Sequence, residues 1–172
     1  MVNTVVSAKA DLSIGSMNDE DAEEYLTFYL NSQEYGIEIL KVQGIQGWAP
    51  VTKIPNTPEY VLGVINLRGA IVPVVDLRKR FLMPEAPFDN ATVVIVVKIE
   101  YEGGSKIVGL VVDSVSQVRN ISDRNYDPAP DFGSEVDTDF VKGLARVDED
   151  MVILLEIDKL VSAGLLGLGD GD

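Results

Sequence analysis

The chain has 172 residues, 46% of them hydrophobic and 24% charged, the composition of one ordinary globular domain or two small lobes with a real core. Fourteen Lys and Arg against 28 Asp and Glu leave a net charge of −14, so the chain repels nucleic acid and anionic lipid and suits protein partners. It has no Cys and no His, which removes disulfides, thiolate nucleophiles, the commonest general base and the commonest transition-metal ligand, and so makes catalysis improbable.

Residues 1–24 are polar and end in the run Asn18 to Glu24, which predicts a disordered acidic tail. No basic segment followed by an apolar stretch opens the chain, and runs such as Val93 to Val97 fall far short of a bilayer span; a cytoplasmic protein without membrane insertion is expected. Tyr25 to Leu30 and Glu34 to Ile39 flank Asn31-Ser32-Gln33 and predict a hairpin. A helix is expected over Ile39 to Ile45. Further strands are expected at Val61 to Ile65, Ala70 to Val75, Thr92 to Glu100, Lys106 to Val112 and Met151 to Ile157, all rich in Val and Ile and bounded by turn residues. Short helices fit Leu77 to Leu82 and Asp158 to Leu160, and Gly164 to Asp172 reads as a flexible tail.

An internal repeat organises these elements. Tyr60 to Val64 matches Phe140 to Leu144, and at the same offset Ile71 to Leu77 falls on Met151 to Ile157. At a shorter offset Gly36 falls on Gly109, Val42 on Val115, Ile45 on Val118 and Pro55 on Pro128. The difference places an extra loop at Ala129 to Thr138 in the second copy. Each copy holds about five short strands, enough for a small closed barrel that hides its strand edges. The fold expected is all-β: two five-stranded barrels side by side, spanning roughly 25–85 and 90–163, with strand exchange between them open.

Conventional chemistry finds little purchase. Asp76, Asp113, Glu156 and Asp158 stand at strand ends, where a carboxylate either caps the following turn or, paired with another, serves a hydrolase. Asp148-Glu149-Asp150 and Asp137-Thr138-Asp139 lack the glycine of a calcium loop, and Glu102 to Lys106 lacks P-loop spacing and reads as a hairpin turn. Asn66-Leu67-Arg68-Gly69 places an arginine at a turn, either as an ordinary surface residue or as a partner contact. Trp48 is expected to be partly buried against a barrel. A carboxylate hydrolase and a ligand-binding barrel stand as alternatives to a binding module.

Glu34 to Gln43 (EYGIEILKVQ), Asn56 to Phe81 (with its GVINLRGAIVPVVDLR core), Thr92 to Ile99 and Val108 to Val118 resemble, in this order, the CheW family of bacterial chemotaxis coupling proteins, from about Tyr25 to Val161. Related domains occur in the kinase CheA and in CheV-type proteins. The resemblance implies two SH3-like barrels, no catalysis and no cofactor or metal. It implies an adaptor that bridges the cytoplasmic hairpin tip of chemoreceptors to CheA and is recruited to the inner face of the membrane through receptor arrays. Carried over by motif, Arg68 is the principal partner-binding residue, with Gly63 and Gly69 shaping its loop. Val42 and Ile45 belong to the same surface, and Val93, Gly109 and Val118 are either contacts or barrel core. Relatives usually carry Glu where Gly44 stands; that Glu is expected near the arginine, so Arg68 here is freer or paired elsewhere.

Overall fold

Eleven strands in two sheets account for most of the computed structural model, which describes residues 22–84, 86–128 and 140–161. In chain order they are β1 (Glu23–Leu30), β2 (Gln33–Glu38), β3 (Val42–Gly47), β4 (Val61–Leu67), β5 (Ala70–Asp76), β6 (Val93–Tyr101), β7 (Gly104–Val112), β8 (Ser114–Ile121), β9 (Tyr126–Pro128), β10 (Val141–Val147) and β11 (Asp150–Leu155). One sheet has the order β8-β1-β2-β11-β10-β9, the other β3-β6-β7-β5-β4. Among the described residues, helix is limited to α1 (Leu77–Arg80), single 3-10 turns at Ile39–Lys41 and Asp123–Asn125, 3-10 geometry at Phe140, and a short helix over 157–161.

The all-β expectation holds, with differences in detail. The helix expected over Ile39 to Ile45 is one 3-10 turn followed by β3. β1 begins at Glu23, inside the segment expected to be a tail. β8 and most of β10 were not anticipated as strands. The loop expected at Ala129 to Thr138 and the tail from Gly164 lie outside the described residues, as does the acidic segment up to residue 21.

Neither sheet follows a division of the chain at 85–90. β1 and β2 join β8 to β11, while β6 and β7 join β3 to β5, so the chain crosses between sheets at β2–β3 and at β7–β8. The two halves nevertheless repeat the same plan. β5 pairs in parallel with β7, Val74 opposite Gly109, and β11 pairs in parallel with β2, Leu154 opposite Gly36. The β4–β5 and β10–β11 hairpins carry the same bulge, at Val61/Gly63 and at Val141/Gly143.

Each sheet curls toward closure by one device. After β3, which pairs with β6, the chain runs on to Thr52, which exchanges backbone hydrogen bonds of 2.9 and 2.8 Å with Val64 on β4. After β8, which pairs with β1, it runs on to β9, which pairs with β10. One stretch thus covers both edges of its sheet, and the sixth strand of the larger sheet is the lengthened counterpart of the Thr52 bridge. Gly63 and Gly143 make the approach possible. A Cβ on Gly63 would lie 2.2 Å from the Thr52 carbonyl oxygen, and one on Gly143 2.5 Å from that of Asp127.

Among the described residues, apolar burial forms three clusters. The largest lies between the sheets and draws on Leu26, Phe28 and Ile37 from one and Ile95, Val97 and Leu110 from the other. A second is built on Tyr25, Ile121, Ala145, Val152 and Leu154 of the six-stranded sheet, and a third on Val74, Val94, Val96 and Val111 of the five-stranded one. Trp48 packs half-buried on the third, its ring 4.4 Å from that of Phe88, as expected. Arg80 pins the halves together: its guanidinium lies 5.1 Å from the Tyr60 ring centre and 4.5 Å from that of Phe140, its repeat partner, and donates to the Leu160 carbonyl at 3.1 Å.

Candidate partner-binding site

β3 and β8 are the edge strands that follow the two crossings. On β3, Val42 lies opposite Val97 and Ile45 opposite Ile95, so three steps on the edge match two on its neighbour. On β8 the same bulged register sets Val115 opposite Phe28 and Val118 opposite Leu26. A bulge of this kind keeps residues three apart on one face. Val42 and Val115 therefore pack on the central core, whereas Ile45 and Val118, one position further out, stay 47% and 49% exposed. Two repeat-equivalent apolar side chains thus flank the same inter-sheet core.

Leu40, at the β2–β3 crossing, is 90% exposed. With Ile39 it borders a depression of about 430 Å³ that also takes in Glu23, Glu24, Glu38 and Asn120. Sequence reasoning missed this part of the surface, because in the run IEILKV an outward leucine looks like any core residue. Lys142 partly offsets the acids here. It pairs with Glu38 and, at 3.2 Å, with Glu23, and lies 5.2 Å over the Tyr25 ring. Burial disfavours its charge, but Glu38 and Tyr25 outweigh that and raise its pKa, while burial pushes the Tyr25 hydroxyl up to about 12.

The Arg68 turn closes the β4–β5 hairpin. Leu67 pairs with Ala70, leaving Arg68 and Gly69 as a two-residue connection with φ of 53° and 89°. Positive φ at both positions is the I′ geometry that matches strand twist, and Asn66 Oδ1 secures it by accepting the Gly69 N–H at 2.9 Å. Arg68 is exposed and forms no ion pair among the described residues. Gly44 sits opposite Val96 on β3, and a Cβ there would meet nothing within 4 Å. Gly44→Glu is accordingly expected to leave the melting temperature within a few degrees, since exposed pairs contribute only about 0–1 kcal/mol, while shifting partner affinity. A large melting shift with unaltered binding, measured by calorimetry and titration, would refute this.

The remaining candidates divide by exposure. Val93 is half-buried against the central core. Gly63 and Gly109 are buried, and a Cβ on Gly109 would come within 2.8 Å of Val94 Cγ1; both serve close strand approach and offer no side chain to a partner. Ile71 and Met151 occupy equivalent places beside the two hairpin tips, 64% and 47% exposed.

Three of the four strand-end carboxylates are individually engaged. Asp76 caps α1, accepting the Arg78 N–H at 3.0 Å, and burial raises its pKa against the pull of that bond. Asp113 accepts from Arg78 Nε at 2.6 Å and the Asn31 N–H at 2.8 Å. Asp158 accepts from Lys41 Nζ at 2.7 Å and the Glu100 N–H at 3.0 Å. Among the described residues no three His, Cys, Asp or Glu gather into a metal-binding group, and no helix is long and apolar enough to cross a membrane.

Exposed apolar edges on a two-sheet β frame, beside carboxylates already committed to cations and amides, define a protein-binding scaffold. The CheW-like domain family matches residues 24–164. The chain is 45% identical over 148 residues to the chemotaxis protein CheW of Klebsiella aerogenes, covering 86% of this chain and 87% of that one. It is 37% identical over 117 residues to CheW of Bacillus subtilis, covering 68% and 72%. The chemotaxis protein CheV3 of Helicobacter pylori is 29% identical over 123 residues, 38% of its own length. The crystal structure of the scaffolding protein TtCheW from Thermoanaerobacter tengcongensis superposes with a TM-score of 0.72 at 36% identity, covering 80% of this chain and 91% of that one. The chain belongs to the CheW family of non-enzymatic chemotaxis scaffolds.

Proposed function

We propose that this chain couples the cytoplasmic hairpin tip of chemoreceptors to the kinase CheA. The observation that carries the reading is the pair of repeat-equivalent apolar positions, Ile45 on β3 and Val118 on β8, exposed on either side of the inter-sheet core. A helical receptor tip lays its apolar face along that groove, with Val42 beneath and Leu40 and the acidic depression at one end. The Arg68-Gly69 turn, with exposed Ile71, serves the two-barrel regulatory domain of CheA, whose repeated architecture suits barrel-to-barrel contact. Holding both partners at once raises their effective concentration without a new contact, so the chain acts by assembly, in the cytoplasm at the receptor arrays.

The test is capture of CheA and of a soluble receptor tip by the purified chain, separately and together, for wild type and Arg68→Ala. Both partners bind wild type, and the substitution weakens the ternary complex in a folded protein. Binding to neither partner overturns the reading. Arg68→Asn sharpens the result, because Asn tolerates a left-handed turn position that costs other side chains roughly 1–2 kcal/mol. It is expected to melt no lower than wild type yet to lose kinase affinity; unchanged affinity would assign Arg68 to the turn alone.

A further inference from the structure

The chain crosses between its sheets twice, and each crossing is latched by an ion pair of the same design with its charges exchanged. At the β2–β3 crossing the cation Lys41 reaches Asp158, in the helix over 157–161 that follows β11, at 2.7 Å. At the β7–β8 crossing the anion Asp113 reaches Arg78, in α1 that follows β5, at 2.6 Å. Arg78 and Asp158 are repeat equivalents by the offset that relates Gly63 to Gly143. In both latches the aspartate uses its second oxygen on a backbone amide of a hairpin in the opposite sheet: Asp113 on Asn31 of β1–β2 at 2.8 Å and Asp158 on Glu100 of β6–β7 at 3.0 Å. Each latch thus ties both sheets to the residue from which an edge strand departs. β3 starts at Val42, one residue after Lys41, and β8 starts at Ser114, one residue after Asp113.

We propose that Lys41, Asp158, Arg78 and Asp113 are positioning residues for receptor docking, which fix the separation of edges β3 and β8 and so the width of the groove between Ile45 and Val118. The inference rests on the coupling function proposed above. The latches lie at the roots of the docking strands and not on the Arg68 turn, so they govern receptor affinity and leave CheA affinity alone.

The chain has no Cys, so Gln43→Cys with Asn120→Cys, both exposed, reports the edge separation by spin-label distance measurement in the full chain. Receptor-tip and CheA affinities are titrated alongside for Asp158→Asn, Arg78→Met and the exchange Lys41→Asp/Asp158→Lys. The single variants are expected to broaden the distance distribution and weaken receptor-tip binding about tenfold, with CheA binding within twofold and the far-ultraviolet spectrum unchanged. The exchange restores both in part, because the ion pair re-forms while the Glu100 N–H loses its carboxylate acceptor. Wild-type distances and receptor affinity in the single variants overturn the proposal, as does equal loss of both affinities, which marks the latches as general stabilisers. Should a variant fail to fold, the exchange decides alone: a folded exchange variant whose receptor binding is weakened about tenfold or more also overturns it. Failure of wild type itself to bind the receptor tip would instead remove the coupling function on which the inference stands.

Discussion

Replacing Arg119 by Met is expected to destabilise the fold by about 3–5 kcal/mol, the cost of stranding a buried charge. Arg119 donates to both oxygens of Glu34, at 2.9 and 3.1 Å, and to Asp150 at 3.0 Å. The Arg119 and Glu34 side chains are only 8% and 4% exposed. Removing the cation leaves Glu34 buried with only weaker partners. The same argument makes Glu34→Met/Arg119→Met close to neutral, because the equivalent positions of the other sheet, Ile107 and Gln46, dispense with a salt bridge, and Ile107 packs on the apolar cluster there. The pH dependence has a definite sign. Burial alone raises the Glu34 carboxyl, but Arg119 and the Thr27 hydroxyl outweigh it and hold the folded pKa below its ordinary value. A carboxyl depressed in the folded state adds stability that is complete above the unfolded range, about pH 4.3, and is lost as pH falls through the folded value. Urea denaturation at neutral and acid pH checks this: the double Met variant, level with wild type at neutral pH, should become the more stable of the two on acidification, and a difference independent of pH would refute it.

Gly63→Ala is expected to cost about 3–4 kcal/mol, as the strain of a special backbone conformation adds to a backbone clash. Gly63 has φ of 150°, and its absent Cβ is what lets the Thr52 carbonyl approach β4. Gly143→Ala should cost nearly as much, since the Asp127 carbonyl and the Tyr126 ring crowd the same direction. Gly69→Ala is the internal control: φ is 89° with nothing within 4 Å, so only the conformational cost of about 1–2 kcal/mol applies. Thermal melts that rank Gly69→Ala as the most harmful of the three would sink the account of barrel closure.

The Val- and Ile-rich strands were readable because their composition and turn boundaries speak for themselves, and β5, β6, β7 and β11 fall within a few residues of expectation. β8 was not, since SVSQVRNI mixes polar and apolar residues as an edge pairing on one side only can afford. The misread helix at 39–45 has a definite cause. A bulge sets Val42 and Ile45 on one face three residues apart, the spacing a helix would also give. Repeats relate equivalent strands but do not say which copy's strand completes which sheet, so the exchange of β1 and β2 was open until the pairing was seen. Of the site, Asn-Leu-Arg-Gly was legible as a turn, because two consecutive positive-φ positions favour its glycine. Leu40 and the latches were not, for exposure and pairing across more than 30 residues leave no local signature: Arg78 and Asp113 are 35 apart, Lys41 and Asp158 117 apart.

The placement of β1 and β2 among strands from the far half of the chain bears on how the molecule is made. β3 to β7 form their sheet from one continuous stretch, so that half can assemble as soon as it leaves the ribosome. The β1–β2 hairpin, synthesised earlier, has no sheet to join until β8 and β11 appear; at typical elongation rates the wait for β8 is roughly 4–15 s. Throughout that interval Leu26, Phe28 and Ile37 can be covered only by the face of the newborn five-stranded sheet, which makes the inter-sheet core the first shelter of the nascent hairpin as well as the seam of the finished molecule.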